Sequence, residues 1–420
     1  ILFSCNPIEE STPKESIVLE EINSPLLPLD GCQSNHPPIL FVHGFLAAGD
    51  GFDRHASRFA SNGHCQDRIY ALDWDNLDQE GALTSLSNAI DQILDHTAAE
   101  QLDVIGHSAG GGLSLALLSN AAESRIRKYI HVASSTVESP PSIPMLNLYS
   151  ESDLIVNGSE QEGAENVSLQ EEDHFAVITS EDSFAAMFEF LTDEVPQHRA
   201  IQAVENPQLW GKALDFGNNI PSSGQVQLFV LDSQTGRPST DIPIYIQEIG
   251  DSGYFGPMEV EHKLHYEMRL IPDDGPIIHH FFPPFDHDNR LIRLRALPKE
   301  GIGAQFLSSL PLEDEASVAL VNYSAHSGMI VGRDQLLING VEQLNSDRAN
   351  AENNTIALFH CDINSDQTEG SDPTTFSLFP FLSGTDTYWE PSAEKSISVQ
   401  FNNNTLHVPQ YGSGILLTLQ

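Results

Sequence analysis

The sequence predicts an α/β domain built on a mostly parallel sheet, followed by two β-sandwich-like modules. Three observations carry that prediction. Strand-like and helix-like patterns alternate from about residue 37 to 195. Past Pro196 the texture changes to short alternating runs separated by Gly, Asp and Pro. Within the first of these textures, a Gly-x-Ser-x-Gly turn joins an apolar run to a helical pattern, as a strand, turn and helix would.

Taken in order, residues 1–36 read as a leader and tether and residues 37–198 as the α/β domain, followed by β-rich modules at 199–300 and 301–420. In the first domain the strand-like runs are Ile39–Val42, Arg68–Leu72, Leu102–Ile105, Tyr129–Ala133, Met145–Tyr149 and Asn166–Leu169. Between them Leu86, Ile90 and Ile93 recur at helical spacing, as do Phe184, Met187, Phe188 and Leu191. Alternation of this kind predicts helices on both faces of a parallel sheet. Beyond it, Val226–Leu231, Ile242–Ile246, Leu264–Leu270 and Leu291–Leu297 are spaced like antiparallel strands. A second set runs through Ser317–Val321, Leu336–Ile338, Thr355–Phe359, Ser396–Phe401 and Ile415–Leu419.

The chemistry is concentrated in Gly106-His107-Ser108-Ala109-Gly110. A short apolar run precedes it and Leu113, Ala116 and Leu117 continue it helically, which makes it a nucleophile elbow with Ser108 at the tip. Small residues at 106 and 110 let the tight turn pass its neighbours. Upstream, the run from Pro38 ends in His43-Gly44-Phe45, a loop placed to supply a backbone N–H facing the nucleophile. The oxyanion donors are therefore expected to be the backbone N–H groups of Phe45 and Ala109, with His43 bracing the loop.

A serine hydroxyl becomes a good nucleophile only when a base removes its proton and an acid fixes that base. His174 follows the Asn166–Leu169 strand and Asp153 follows Met145–Tyr149, both at carboxyl ends of strands, where an open α/β sheet assembles a site. Glu151 competes with Asp153 for the acid role, and Asp173 reads as a surface charge beside His174. His131 lies inside a strand and His198 at the exit of the domain, which leaves His174 as the base.

Composition narrows the partners. Sixty acidic and 19 basic side chains give a net charge of −41, which repels phosphate and excludes nucleic acid as a partner for a basic surface. Such a surface suits an acidic exported protein or a saline habitat. No run of 18 apolar residues exists, so no transmembrane span is expected. Ile1-Leu2-Phe3-Ser4-Cys5 resembles the end of a bacterial lipoprotein signal, with Cys5 as a lipid anchor and residues 6–24 as a polar tether. A Cys32–Cys65 disulfide fits export. Asp362, Asn364 and Asp366 alternate like the oxygens of a calcium loop but lack its full signature, and an acidic surface turn is the default reading.

Val42-His43-Gly44-Phe45, the elbow around Ser108, Asp153 and His174 together resemble the α/β-hydrolase lipases and esterases. Ser183–Phe190 and Ile277–Phe285 narrow the resemblance to archaeal lipases with a C-terminal β-rich lipid-binding domain. The resemblance implies an α/β-hydrolase domain and hydrolysis of acyl ester or lipid substrates without a cofactor, the β region helping to capture substrate. It departs in one place: between Trp74 and Leu102 there is room for a single helix and not for a long lid. An open site beside β modules also suits an insoluble polymer such as a polyester. Peptidase chemistry and a non-catalytic surface binding protein are the other classes this chain allows.

Overall fold

A computed structural model describes residues 34–419 apart from 35, 77, 120, 121, 371, 372 and 376–378. Cys5, Cys32 and the expected tether lie outside the described residues. Six strands form one sheet: β1 (Ile39–Val42), β2 (Ile69–Leu72), β3 (Leu102–His107), β4 (Ile126–Val132), β5 (Met145–Tyr149) and β6 (Glu165–Ser168). Their order is β2-β1-β3-β4-β5-β6 and every pairing is parallel. The order reverses between β1 and β3, and the chain leaves the carboxyl ends of those two strands into the His43–Phe45 loop and the Ser108 turn. That reversal opens the crevice in which doubly wound sheets bind ligands.

The helices are α1 (Asp53–Ser61), α2 (Gln79–Thr97), α3 (Ala109–Leu118) and α4 (Glu181–Thr192). One face of the sheet packs Leu40, Val42 and Val104 against Leu86, Ile90 and Ile93 of α2 and Leu113 and Leu117 of α3. The other packs Phe41, Ile105 and Ile130 against Phe59 of α1 and Phe184, Met187 and Phe188 of α4. Helices α1, α2 and α4 each turn an apolar stripe to the sheet, as the 3.6-residue spacing requires, whereas α3 is buried over most of its surface. No helix among the described residues is long and apolar enough to cross a membrane.

The rest of the chain supplies β7 (Gln208–Asp215), β8 (Gly224–Leu231), β9 (Tyr245–Ile249), β10 (Tyr254–Glu259), β11 (His265–Pro272), β12 (Ile278–Phe282) and β13 (Asn289–Ala296). A short helix, α5 (Gly301–Leu307), leads to β14 (Ala319–Tyr323), β15 (Leu336–Ile338), β16 (Val341–Glu342), β17 (Ala357–Cys361) and β18 (Pro373–Thr375). The chain closes with β19 (Leu382–Asp386), β20 (Ser392–Phe401), β21 (Asn404–Gln410) and β22 (Ile415–Leu419).

Two expectations need correction here. The large sheet runs β18-β19-β17-β14-β22-β12-β11-β8-β9, so strands from both sides of residue 300 share it. The last strand, β22, inserts between β12 and β14 and pairs with both in parallel. The expected boundary between modules at 300 therefore crosses one continuous sheet, in which β9, β8, β11 and β12 pair antiparallel as expected and the parallel pairings of β22 and of β17 with β19 make the whole mixed. Alternation along a strand reports which face is buried but not its partner, and parallel pairing arises from long crossovers that leave no local mark.

Six buried histidines carry a shared consequence. Burial is the leading cause that lowers His43 and His131 to about 4 and His64, His107, His280 and His360 to about 3, from 6.5. All six are at most 5 % exposed. In the unfolded chain each takes a proton near pH 6.5, whereas the native state refuses it until pH 3–4. Stability is thus fully present above pH 6.5 and is lost as pH falls below it, at up to about 1.4 kcal/mol per pH unit for each histidine. Calorimetry from pH 8 downward is expected to show Tm falling from near pH 6.5, and a Tm unchanged down to pH 5 would contradict the assignment.

Candidate active site

Ser108 stands between β3 and α3 at φ 52° and ψ −122°. Few residues other than glycine adopt positive φ without help from their surroundings. Here the help is visible: the Ser108 N–H donates to the Val132 carbonyl at 2.9 Å and the Ser134 hydroxyl donates to the Ser108 carbonyl at 2.7 Å. A Cβ at Gly110 would lie 2.2 Å from the Val42 carbonyl oxygen, and one at Gly106 would lie 2.8 Å from that of Gly110. The two glycines are required by packing.

Three side chains from three loops meet at this turn. His174 Nε2 lies 3.0 Å from Ser108 Oγ, and its Nδ1 lies 2.7 Å from Asp153 Oδ2. The other Asp153 oxygen accepts the Ile155 and Val156 N–H groups at 2.9 and 3.1 Å. Asp153 is 1 % and His174 3 % exposed. Burial pushes the Asp153 carboxyl up, but His174 and the two amides outweigh it and hold the group below its ordinary value. The carboxyl therefore stays ionised against His174 Nδ1, and His174 Nε2 faces the Ser108 hydroxyl, an arrangement in which a histidine can take a proton from a serine. Glu151, the competing acid, is exposed.

The loop after β1 lies against the nucleophile. A Cβ at Gly44 would come within 3.0 Å of Ser108 Cβ. His43 does not face the reacting atoms: its Nδ1–H donates to the Gly44 carbonyl at 2.8 Å, and its Nε2 accepts from the Trp74 N–H and from Asn219 Nδ2, each at 3.2 Å. Burial keeps it neutral. It ties the Gly44 carbonyl to the Trp74 backbone and to Asn219. Ala109 opens α3 as its first residue, so its N–H has no acceptor within the helix.

Several residues at the site were not legible in the sequence. Asp73, at the end of β2, accepts the Gly49 N–H at 2.8 Å and Arg293 Nε at 3.0 Å, with a second ionic contact of 2.9 Å to Arg293 Nη2. Arg295 reaches both Asp50 oxygens at 2.8 Å. Asn219 donates to the Ala47 and Trp74 carbonyls at 2.9 and 3.2 Å. Strand β13 and the turn after β7 thus brace the loop that carries Phe45 from behind. These partners are 24 to 245 residues apart in sequence, and no local pattern marks them.

Asp173 is a further correction. Read as a surface charge, it is 4 % exposed and accepts the Phe175, Ala176 and Gly328 N–H groups and Arg333 Nη1. Tertiary cover from the β region, invisible along the chain, makes it a buried tie. Cys65 is disulfide-bonded and Cys361 is free and buried; Cys32, the expected partner of Cys65, lies outside the described residues. Of the calcium candidates, Asp362 accepts the Asp366 and Gln367 amides, Asp366 accepts the Thr368 amide and hydroxyl, and Asn364 donates to Asp386. Their polar groups bond within the turn and its neighbour strand, and no metal-holding cluster of His, Cys, Asp or Glu occurs among the described residues.

Comparison with known proteins adds to this geometry. Residues 37–154 match the family described as the alpha/beta hydrolase fold, and residues 205–298 match the lipase C-terminal domain. The N-terminal domain belongs to the α/β hydrolases. Among solved structures, a CIB-like hydrolase from Thermoplasma acidophilum is 19% identical, with 39% of this chain and 89% of that chain covered at a TM-score of 0.32. A carboxylesterase from Bacillus subtilis is 12% identical, with 39% and 86% covered at 0.30. Naproxen esterase, also from Bacillus subtilis, is 14% identical, with 38% and 85% covered at 0.30. In this hydrolase the first matched segment contains Phe45, Ser108 and Asp153, and the second contains Asn219, Arg293 and Arg295.

Proposed function

We propose that this hydrolase is an exported serine carboxylic ester hydrolase that works through an acyl-enzyme. The observation that supports this reading is the hydrogen-bonded chain from Ser108 Oγ through His174 to Asp153, at 3.0 and 2.7 Å. Ser108 Oγ attacks the ester carbonyl carbon as its proton passes to His174 Nε2. The negative charge that develops on the carbonyl oxygen is received by the Phe45 and Ala109 N–H groups. Collapse breaks the bond to the alcohol oxygen, which takes the proton from His174, and water then repeats the sequence to release the acid. No cofactor enters these steps.

The surroundings suit an apolar acyl group. Phe45, Leu154 and Ile155 are 43, 53 and 43 % exposed beside the oxyanion loop and the acid. Phe45 meets Phe381 edge to face at 6.4 Å, and Phe175 lies edge to face on His174 at 5.3 Å. Export is supported by the Cys65 disulfide, since such bonds persist in oxidising compartments. A p-nitrophenyl ester series of increasing acyl length, in low and high salt, is the test. Turnover is expected, with the preferred length separating esterase from lipase; an inert wild-type protein at every length would overturn the reading.

A further inference from the structure

The loop that presents His174 is fastened to residues that follow it by about 150 to 180 positions. Asp173 Oδ1 caps the turn after it, accepting the Phe175 and Ala176 amides at 2.9 and 3.0 Å. The same oxygen accepts the Gly328 N–H at 3.1 Å, and Oδ2 accepts Arg333 Nη1 at 2.6 Å. Arg333 also donates to the Gly328 carbonyl and pairs with Asp334 at 2.8 Å. On the histidine itself, the backbone N–H donates to Asn354 Oδ1 at 3.1 Å, and the carbonyl accepts His107 Nε2–H at 3.0 Å.

The two outer segments are themselves locked together. Met329 N–H donates to the Thr355 carbonyl at 2.6 Å, and a Cβ on Gly328 would sit 3.2 Å from Asn354 Cα. Asn354 is fully buried at φ 45°, a conformation that asparagine tolerates better than most residues. Thr179, at the end of the same loop, donates to the His326 carbonyl at 2.5 Å. The His174 N–H is thus bonded to the C-terminal β region and its carbonyl to the elbow.

We propose that Asp173, Arg333 and Asn354 are positioning residues, forming a clamp through which the C-terminal β region sets His174 in line between Ser108 and Asp153. On this account the β region completes the catalytic geometry even for small soluble substrates that need no help with capture. The proposal rests on the ester-hydrolase reading above. A displacement of about 1 Å in a catalytic group costs up to about 10²-fold in rate, and the loss falls on kcat because the substrate contacts are elsewhere.

The test uses the full chain and a soluble short-acyl p-nitrophenyl ester, with kcat expressed per serine titrated to completion by a p-nitrophenyl phosphonate. Asn354→Gly keeps the backbone conformation accessible and removes the acceptor; Asp173→Asn weakens the tie to Arg333. Both are expected to lower kcat per titrated serine by about 10–100-fold while KM changes by less than about twofold. Arg333→Met should lower it less, and Arg333→Lys should recover much of that loss by restoring the charge facing Asp173. A merely structural clamp would instead reduce Tm and the number of titratable serines, with kcat per serine unchanged, and that outcome overturns the proposal. If Asp173→Asn does not fold, Asn354→Gly and the Arg333 pair decide the matter by the same criterion. An active wild type with insensitive variants removes the clamp alone, whereas an inert wild type removes the ester-hydrolase reading and the clamp with it.

Discussion

Ser108→Ala is expected to reduce ester hydrolysis by roughly 10⁴–10⁶ in kcat while leaving the fold intact. The substitution deletes one oxygen, and that oxygen makes the 3.0 Å contact to His174 Nε2. The turn is held by backbone contacts to Val132 and Ser134 that alanine retains. His174→Ala should cost about as much, and the double variant little more, because the two groups act as a unit. Asp153→Asn should lower kcat by about 10⁴, since an amide favours the wrong tautomer of His174. Steady-state kinetics at saturating ester, with far-UV and near-UV circular dichroism to confirm folding, checks all four proteins. A Ser108→Ala protein within tenfold of the wild type would require a different nucleophile.

Arg293→Met is expected to destabilise the native state by about 3–5 kcal/mol. Both members of the Asp73–Arg293 pair are wholly buried in their side chains, with Nε–Oδ1 at 3.0 Å and Nη2–Oδ2 at 2.9 Å. Burial alone would push the Asp73 carboxyl up, yet Arg293 and Lys212 hold it below its ordinary value, so it is buried as a charge. Removing the guanidinium leaves that charge under-compensated in a region of low dielectric. The damage should also reach the chemistry, because Asp73 Oδ1 accepts the Gly49 N–H of the loop that carries Phe45. Denaturant melts are expected to show the midpoint shifted with the slope unchanged, and Asp73→Asn combined with Arg293→Met should recover part of the loss. A shift worth less than about 1 kcal/mol would mean that solvent or Lys212 already compensates Asp73.

The candidate site was largely readable because its residues are marked locally. The elbow must combine small residues with a serine in a strained turn, so Gly106, Ser108 and Gly110 appear together in the chain. Asp153 and His174 each follow a strand, and sheet geometry delivers both to the same edge. Asp173 was misread because a carboxylate in an acidic stretch has no local sign of burial; only Gly328 and Arg333, arriving from a distant segment, enclose it. Asn219, Arg293 and Asn354 were missed for the same reason. The mixed sheet was misjudged because strand alternation carries no information on which strand lies alongside.

The amino-acid sequence by itself determined the parallel α/β domain, the candidate residues Ser108, Asp153 and His174 at its strand ends, and the β-rich character of the remainder, since each depends on side-chain periodicity or on chain order relative to strand ends. Only the tertiary structure decided that β22 returns to the middle of the large sheet and that β13 braces the oxyanion loop. It likewise decided that Gly328, Arg333 and Asn354 bond to the loop that carries His174. Contacts between segments separated by a hundred residues or more are selected by the packing of the whole chain, and no local pattern of residue types encodes them.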